Sequence, residues 1–177
     1  MAIYPELKGR VAVVTGAAQG IGASTAREFA QQGTAVALLD IDEAGAKKVA
    51  ADISGARLMC VRTDVTDDQS VTDALARVAG EFGGIDILVN SAGGYGKLTG
   101  VEELPVDDWD KTVMLNLRGT FLASRAVVPH MRKSGGGAIV NFATGSIRGF
   151  TGKTTSAARL AYVSAKAGII GFTNQLS

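Results

Sequence analysis

The stretch that decides the fold reads VAVVTGAAQGIGAS and covers residues 11–24. Its first half is a β-branched apolar run, which predicts a buried strand, and its second half begins an amphipathic helix. Three glycines with the spacing G-x-x-x-G-x-G, Gly16, Gly20 and Gly22, separate the two elements. Such a turn lets backbone N–H groups approach a pyrophosphate at the positive end of a helix. A plain glycine-rich turn would give the same pattern, so the spacing alone does not decide for a dinucleotide site.

The alternation of strand and helix repeats along the whole chain. The predicted strands are 10–16, 35–40, 56–64, 85–93 and 137–145, and the predicted helices are 20–33, 42–52, 66–82, 107–133 and 157–177. Continuous apolar strands between helices are typical of a parallel sheet covered on both faces. The sequence contains no linker, repeat or low-complexity stretch. It therefore predicts an α/β fold with a doubly wound (Rossmann) parallel sheet, strand order 3-2-1-4-5, as a single domain over residues 1–177.

The bulk composition excludes several classes of protein. Of the 177 residues, 46% are hydrophobic and 20% charged, a balance that is ordinary for a globular protein and excludes a disordered one. The formal net charge of +1 favours neither nucleic acid nor an acidic membrane as a partner. The single cysteine, Cys60, cannot form an internal disulfide, and the start MAIYPELKGR lacks the order of a signal peptide. We therefore expect a cytoplasmic protein that has no transmembrane helix and no metal site.

The second predicted strand ends in an acidic residue, Asp40, 18 residues past Gly22. A carboxylate at this point of a doubly wound fold accepts hydrogen bonds from the hydroxyls of the adenosine ribose. It would also repel a 2′-phosphate, and Ala17 and Ala18 supply no basic residue to reverse this, so NAD is favoured over NADP. The alternative role for Asp40 is that of a helix N-cap, although Asp42 could fill it instead.

The fourth predicted strand ends in the small residues NSAGG, 90–94. This segment would leave the sheet at the same carboxyl edge as the glycine loop, where ligands of such folds bind. Its small side chains suit a backbone that passes close to a ribose, although a simple glycine-rich loop would look the same.

Five motifs, in register along nearly the whole chain, together resemble the short-chain dehydrogenase/reductase family. They are TGAAQGIG (15–22) for the cofactor loop, TDVTD (63–67) for the adenine contact, NSAG (90–93) for its N-N-A-G motif, MLNLRGTF (114–121) for the helix asparagine and AYVSAKAG (161–168) for Y-x-x-x-K. The resemblance implies hydride transfer between a nicotinamide cofactor and an alcohol or carbonyl carbon of a small molecule. It implies that the cofactor is bound by Gly16, Gln19, Gly20, Ile21, Gly22, Asp40, Asp64, Val65, Asn90, Ala92, Gly93, Tyr162 and Lys166.

The resemblance also implies a proton-transfer group. Oxidation of an alcohol needs a base that accepts the hydroxyl proton. A free tyrosine has a pKa of about 10, so near neutral pH it stays protonated and cannot act as that base. Lys166 follows Tyr162 by four residues on the same helix face, so we expect its cation, with that of the nicotinamide, to lower the pKa of Tyr162. By resemblance, Lys166 also binds the nicotinamide ribose, and Asn116 holds a water that links Lys166 to solvent. A solvated i,i+4 pair is the alternative for Tyr162 and Lys166.

The chain departs from the family pattern at the catalytic hydroxyl. The family has a serine just after the fifth strand, whereas IVNFATGS has Thr144 at the matching position and Ser146 two residues later. A threonine hydroxyl can hydrogen-bond a substrate oxygen as serine does, although its methyl group restricts the rotamer. We predict Thr144 as the catalytic hydroxyl, with Ser146 as the alternative.

The segment before Tyr162 is longer than the family pattern, and the extra residues fall in RGFTGKTTSAARL, 148–160. We expect it to form a wall of the substrate pocket, where Arg148, Lys153 and Arg159 either attract an anionic substrate or form a solvated surface.

The stretch GFTGKTT within this segment also resembles a phosphate loop of a nucleotide hydrolase. That pattern requires glycine where Ile147 stands, and the chain already has a better phosphate site at its first glycine cluster, so we reject this function.

Family members are usually longer than this chain. Their strands six and seven, and the segment that closes over the substrate, have no counterpart here, and the chain stops inside a helical pattern. We therefore expect a fragment or a truncated product, and a catalytically weak or silent NAD-binding protein is the alternative function.

The last helix and the helix 107–133 are apolar on several faces. In this family they pack against another subunit, so the resemblance implies a dimer or tetramer.

Overall fold

The computed structural model describes residues 4–96, 100–148 and 159–176 of the chain. The strands are β1 (Val11–Thr15), β2 (Ala35–Asp40), β3 (Leu58–Arg62), β4 (Ile87–Asn90) and β5 (Ala138–Asn141). The helices are α1 (Gly20–Gln31), α2 (Glu43–Ala51), α3 (Asp68–Phe82), α4 (Val106–Val113), α5 (Gly119–Lys133) and α6 (Arg159–Leu176). The strands form one parallel sheet with the order β3-β2-β1-β4-β5, which confirms the predicted fold.

The two faces of the sheet have separate apolar cores, because successive side chains of a strand point to opposite sides. Val13 belongs to the core that α3 and α5 cover, together with Leu75 and Leu122. Its neighbour Val14 belongs to the core that α1 and α2 cover. Small side chains on α1 let this helix lie close to the sheet, and those that are buried are Ala23, Ala26 and Ala30. The sheet is therefore covered on both faces, which leaves the carboxyl ends of its strands as the open edge.

The predicted helix over 107–133 is divided in the structure. A five-residue π-helical segment, Met114–Arg118, joins α4 to α5. Side chains bind backbone carbonyls around it: Asn116 Nδ2 donates to the carbonyl of Thr112 at 2.8 Å, and Thr120 Oγ1 donates to the carbonyl of Asn116 at 2.8 Å. Such segments are frequent at functional sites. This one places Asn116, which is fully buried, against the segment that follows β4.

The last helix, α6, is apolar on more than one face, as predicted, but it buries only one of them in the single chain. Ala161, Ala165 and Ile169 are buried, whereas Leu160 is 39% exposed. The buried face brings α6 beside α4 and the π-helical segment. Neither α6 nor another helix in the described ranges is both long and apolar enough to cross a membrane.

Candidate active site

The predicted cofactor residues meet in one cleft at the carboxyl edge of the sheet. The cleft has a volume of about 580 Å³ and opens where β1, β2 and β4 end, the usual ligand edge of a doubly wound sheet. Eleven of the predicted residues line it: Gly16, Gln19, Gly20, Ile21, Asp40, Asp64, Val65, Ala92, Gly93, Tyr162 and Lys166. The other predicted residues, which do not line the cleft, are Gly22, Asn90, Asn116, Thr144 and Ser146.

The glycine loop between β1 and α1 forms the floor of the cleft. Gly16 has φ 66°, and a Cβ there would lie 2.7 Å from the Cα of Ala92, so only glycine lets the two loops approach this closely. A Cβ on Gly22 would overlap the carbonyl oxygen of Gly16. Gly22 therefore packs against the glycine loop and does not itself line the cleft. Gly20, with φ 57°, has nothing within 4 Å of a built Cβ and faces open space. The helix N-terminus that follows has no side-chain cap from Gln19 and suits an anion.

The carboxylate of Asp40 is fixed at the edge of the cleft by backbone donors. Its Oδ2 accepts a 2.9 Å hydrogen bond from the N–H of Ala18, and its Oδ1 accepts one of 2.9 Å from the N–H of Asp42. The N-cap of α2 is Asp42, whose side chain accepts from the N–H of Gly45. The N-cap alternative for Asp40 is therefore wrong, and its carboxylate lies against the glycine loop.

The segment after β3 places Asp64 and Val65 on a neighbouring wall. Asp64 Oδ1 accepts from both the N–H and the hydroxyl of Thr66, at 2.9 Å and 2.7 Å. Val65 is 7% exposed and packs against α5, where a Cβ on Gly119 would lie 3.1 Å from its Cγ2. These contacts hold the two predicted adenine residues at the rim of the cleft.

The segment after β4 is tied to β1 by one hydroxyl. Thr15 Oγ1 accepts hydrogen bonds of 3.1 Å from the N–H groups of Ser91 and Ala92. Gly93 follows, and a Cβ there would lie 2.6 Å from Asn116 Oδ1. The side chain of Asn90, which is 2% exposed, points away from the cleft to Ser124 of α5.

Tyr162 and Lys166 lie together at the end of the cleft, on α6. Lys166 is 4% exposed, its Nζ donates to the carbonyl of Phe142 at 2.8 Å, and it lies 5.7 Å from the centroid of the Tyr162 ring. Burial lowers the pKa of Lys166 from its ordinary value of 10.5. The alternative of a solvated surface pair is therefore wrong.

The amide of Asn116 joins the π-helical segment to the loop beside Lys166. Its Nδ2 donates to the carbonyls of Gly94 (2.7 Å) and Thr112 (2.8 Å), and its Oδ1 accepts from the N–H of Gly94 at 3.3 Å. The amide therefore fixes the backbone at Gly94. Its predicted role in holding a water stays a prediction.

The two candidate hydroxyls lie just after β5. Thr144 and Ser146 are both half-buried, and Thr144 Oγ1 accepts a 3.3 Å hydrogen bond from the N–H of Ser146. The choice between them stays a prediction. Of the expected substrate wall, residues 149–158, including Lys153, lie outside the described residues, while Arg148 and Arg159 are exposed.

The sequence prediction missed the aromatic residues that line the cleft besides Tyr162, which are Tyr95 and Phe142. Tyr95 is 65% exposed, lines the cleft and makes an edge-to-face contact with Tyr162, with the ring centroids 5.7 Å apart and the planes at 71°. An aromatic residue directly after the small-residue segment 90–94 was the available signal for Tyr95.

Among the described residues, no group of three or more His, Cys, Asp or Glu side chains could hold a metal ion.

Comparison with known proteins identifies the class that this fold and cleft define. Residues 10–177 match the family model of the short chain dehydrogenases, so the chain belongs to that family, as its motifs predicted. It is 43% identical to the D-threitol dehydrogenase of Mycolicibacterium smegmatis over 97% of this chain, and 40% identical to the NAD-dependent glycerol dehydrogenase of Listeria innocua over 95%.

A solved structure gives the same result for the fold. The crystal structure of an NAD⁺-bound xylitol dehydrogenase matches 96% of this chain with a TM-score of 0.87 and 34% identity. The present chain covers 64% of that protein, 64% of the threitol dehydrogenase and 63% of the glycerol dehydrogenase. The chain therefore spans somewhat less than two thirds of the length of these relatives.

Proposed function

We propose that the protein is an NAD-dependent oxidoreductase that transfers a hydride between the nicotinamide and a secondary alcohol or ketone. One observation carries the proposal: a single cleft has a glycine loop and Asp40 at one end and Tyr162 beside a buried Lys166 at the other. The names of the relatives, which act on threitol, glycerol and xylitol, favour a small polyol as the alcohol.

The residues of the cleft fit a dinucleotide. The N–H groups at the start of α1 would bind the pyrophosphate, and Gly20 leaves the space that a side chain would fill. Asp40 would accept hydrogen bonds from the adenosine ribose, and its charge would repel a 2′-phosphate, so NAD is preferred over NADP. Asp64 and Val65 would contact the adenine. When bound, the nicotinamide would supply the acceptor or donor of the hydride.

Tyr162 would transfer the proton. In the oxidation its phenol oxygen takes the proton of the substrate hydroxyl, and in the reduction it returns that proton to the carbonyl oxygen. The ammonium of Lys166, which lies 5.7 Å from the centroid of the Tyr162 ring, would stabilise negative charge that develops on the phenol oxygen during the transfer. The Phe142 carbonyl holds this ammonium in place.

The substrate oxygen would also bind a hydroxyl, for which we prefer Thr144 over Ser146. Tyr95, which contacts Tyr162, and Leu115 also line the cleft and would contact the carbon chain of the alcohol. We further propose that the protein is cytoplasmic, which the unpaired Cys60 supports, and that it forms a dimer or tetramer. The exposed Phe121 and Leu160 support an interface between subunits.

A panel of alcohols with NAD and with NADP tests the proposal. We expect NADH to form from at least one of threitol, glycerol, xylitol and simple secondary alcohols, and less product with NADP. The binding of NAD is measured in parallel by calorimetry. Binding without turnover on any alcohol would favour the alternative of a silent NAD-binding protein, and the absence of binding would overturn both.

A further inference from the structure

A chain of side-chain hydrogen bonds runs from α5 through the ends of β4 and β5 to α6. Asn90 Nδ2 donates to Ser124 Oγ at 3.1 Å and to Asn141 Oδ1 at 2.8 Å. Asn141 Nδ2 donates to Thr173 Oγ1 at 3.0 Å. Thr173 Oγ1 in turn donates to the carbonyl of Ile169 at 2.7 Å. We call the four side chains Ser124, Asn90, Asn141 and Thr173 the amide brace.

The direction of each bond in the amide brace follows from the one before it. Asn90 uses its amide nitrogen for both contacts, and its buried Oδ1 has no partner within the described part of the chain. The oxygen of Asn141 faces Asn90, so its nitrogen faces α6. Thr173 must accept there, and its own proton goes to the helix carbonyl. With Asn90 donating through its nitrogen, each later bond of the brace has a defined direction, and the brace links α5 to α6 through the ends of β4 and β5.

Thr173 lies on the face of α6 that contains the reactive residues. It follows Lys166 by seven residues and Tyr162 by eleven, and at about 100° per residue both separations bring the side chains within about 20° of the same direction. A rotation of α6 that breaks the bond between Asn141 and Thr173 would therefore also move Tyr162 and Lys166 relative to the cleft.

The end of β5 contacts this face of α6 twice. Asn141 binds Thr173, and the carbonyl of the next residue, Phe142, binds Lys166. The two helix positions are about two turns apart, a distance that the long side chain of Lys166 spans. Two contacts at different heights fix both the rotation and the position of α6 along its axis.

We propose that Asn141 and Thr173 are positioning residues, which set the orientation of α6 and thereby hold Tyr162 and Lys166 in the cleft. Neither residue lines the cleft to which we assign the cofactor and the substrate. The kinetic part of this inference rests on the proposed function. The geometric part, that Thr173 sets the surroundings of Tyr162, does not depend on turnover.

The kinetic test uses Thr173→Val, which keeps the shape of the side chain and removes the hydroxyl. A small displacement of reacting groups lowers a rate steeply, so we expect kcat to fall by about 10- to 100-fold while the Kd of NAD and the KM of the alcohol change less than about twofold. Thr173→Ser, which keeps the hydroxyl, should restore kcat. Gln175→Ala, at an exposed position of the same helix, is the matched control and should leave kcat unchanged.

The second measurement does not require turnover. Tyrosine labelled with ¹³C at Cζ gives one resonance for each of Tyr4, Tyr95 and Tyr162, assigned by single Tyr→Phe substitutions. We expect Thr173→Val to shift or broaden the Tyr162 resonance and to leave that of Tyr4 in place, and Thr173→Ser to leave both in place. If the valine variant does not fold, as judged by circular dichroism, Thr173→Ala is measured in the same way.

The outcomes separate the two proposals. An inactive wild-type protein would refute the proposed function, and the Tyr162 resonance would then decide the role of the brace by itself. An unmoved Tyr162 resonance, or a valine variant with wild-type kcat, would overturn the inference. So would a loss of kcat that Thr173→Ser fails to restore, since that would indicate a requirement for the methyl group and not for the hydrogen bond.

Discussion

Lys166 and Phe142 are joined by a 2.8 Å hydrogen bond from the ammonium to the backbone carbonyl just past the end of β5. The bond holds a side chain that is 4% exposed at the inner end of the cleft, beside the ring of Tyr162. A buried cation, for which the described part of the chain shows one acceptor, disfavours the folded state unless a further partner binds it. The burial of this cation has a measurable consequence for stability.

The first prediction concerns the pH dependence of stability. Burial lowers the pKa of Lys166 in the folded chain from 10.5, so the unfolded chain binds the proton more tightly. The penalty for burying the charge is full below the folded pKa and disappears as the pH rises to 10.5. The free energy of unfolding of the wild type should therefore increase relative to that of Lys166→Met as the pH rises from about 7 towards 10.5.

Urea unfolding of both proteins over this range measures the difference, in which the titrations of the other lysines cancel. A difference that is constant, or that moves in favour of the methionine variant at high pH, would contradict the burial of a charged Lys166.

The second prediction concerns the contact between Gly93 and Asn116. A Cβ on Gly93 would lie 2.6 Å from Asn116 Oδ1 and 3.6 Å from Lys166 Nζ. Gly93→Ala should therefore displace the Asn116 amide, reduce kcat and lower the free energy of unfolding by about 1–3 kcal/mol, the usual effect of overpacking. Gly96→Ala is the matched control in the same loop, because its Cβ would meet Thr112 Oγ1 at an ordinary 3.7 Å. Equal effects of the two substitutions, in urea unfolding and in kcat, would rule out this account of the contact.

The third prediction concerns the choice of cofactor. Asp40→Asn removes the charge that would repel a 2′-phosphate, so the ratio of the NADP and NAD dissociation constants should move towards NADP. We expect a change of about tenfold, the effect of about 1.4 kcal/mol that one nearby charge produces in a partly screened site. Asp42→Asn removes a neighbouring charge and keeps a good N-cap, so it should leave the ratio unchanged. Calorimetry with both dinucleotides gives the ratio, and an equal change in the two variants would mean that Asp40 has no specific role.

The fourth prediction concerns the aromatic wall of the cleft. Tyr95→Ala removes the ring that contacts Tyr162 and opens the outer side of the cleft. The KM of the alcohol should rise by about tenfold, whereas the Kd of NAD should not change, because Tyr95 contacts the ring of Tyr162, in the part of the cleft to which we assign the alcohol. Tyr95→Phe keeps the ring and distinguishes packing from hydrogen bonding by the hydroxyl. A KM that neither substitution alters would show that the alcohol does not bind against Tyr95.

The sequence was sufficient to predict the sheet order and eleven of the residues that line the cleft, because these depend on short, continuous motifs. The strand before Gly16 and the helix after Gly22 identify the glycine loop, and Asp40 follows at the end of the next strand. Asp42 as the true N-cap could be foreseen only as an alternative. In each of these cases the informative residues are neighbours in the sequence.

Features that depend on several elements could not be predicted in this way. The π-helical segment adds one residue per turn inside the helical pattern 107–133, and the spacing of apolar residues does not reveal so local a change. Asn90 belongs to a cofactor motif, but its side chain is directed away from the cleft, towards Asn141. The link from Asn141 to Thr173 joins residues 32 apart, which no local motif connects.

The proposed function requires Tyr162 to transfer the proton in an oxidation that depends on NAD. The most direct measurement is steady-state NADH formation from a polyol by the wild type and by Tyr162→Phe, with the Kd of NAD determined for both. Phenylalanine keeps the ring and its contact with Tyr95 and removes only the hydroxyl. The account predicts that turnover by the variant falls by at least about a hundredfold, within the range that general acid–base groups contribute, while NAD binding is unchanged. Turnover by Tyr162→Phe at the wild-type rate would contradict it.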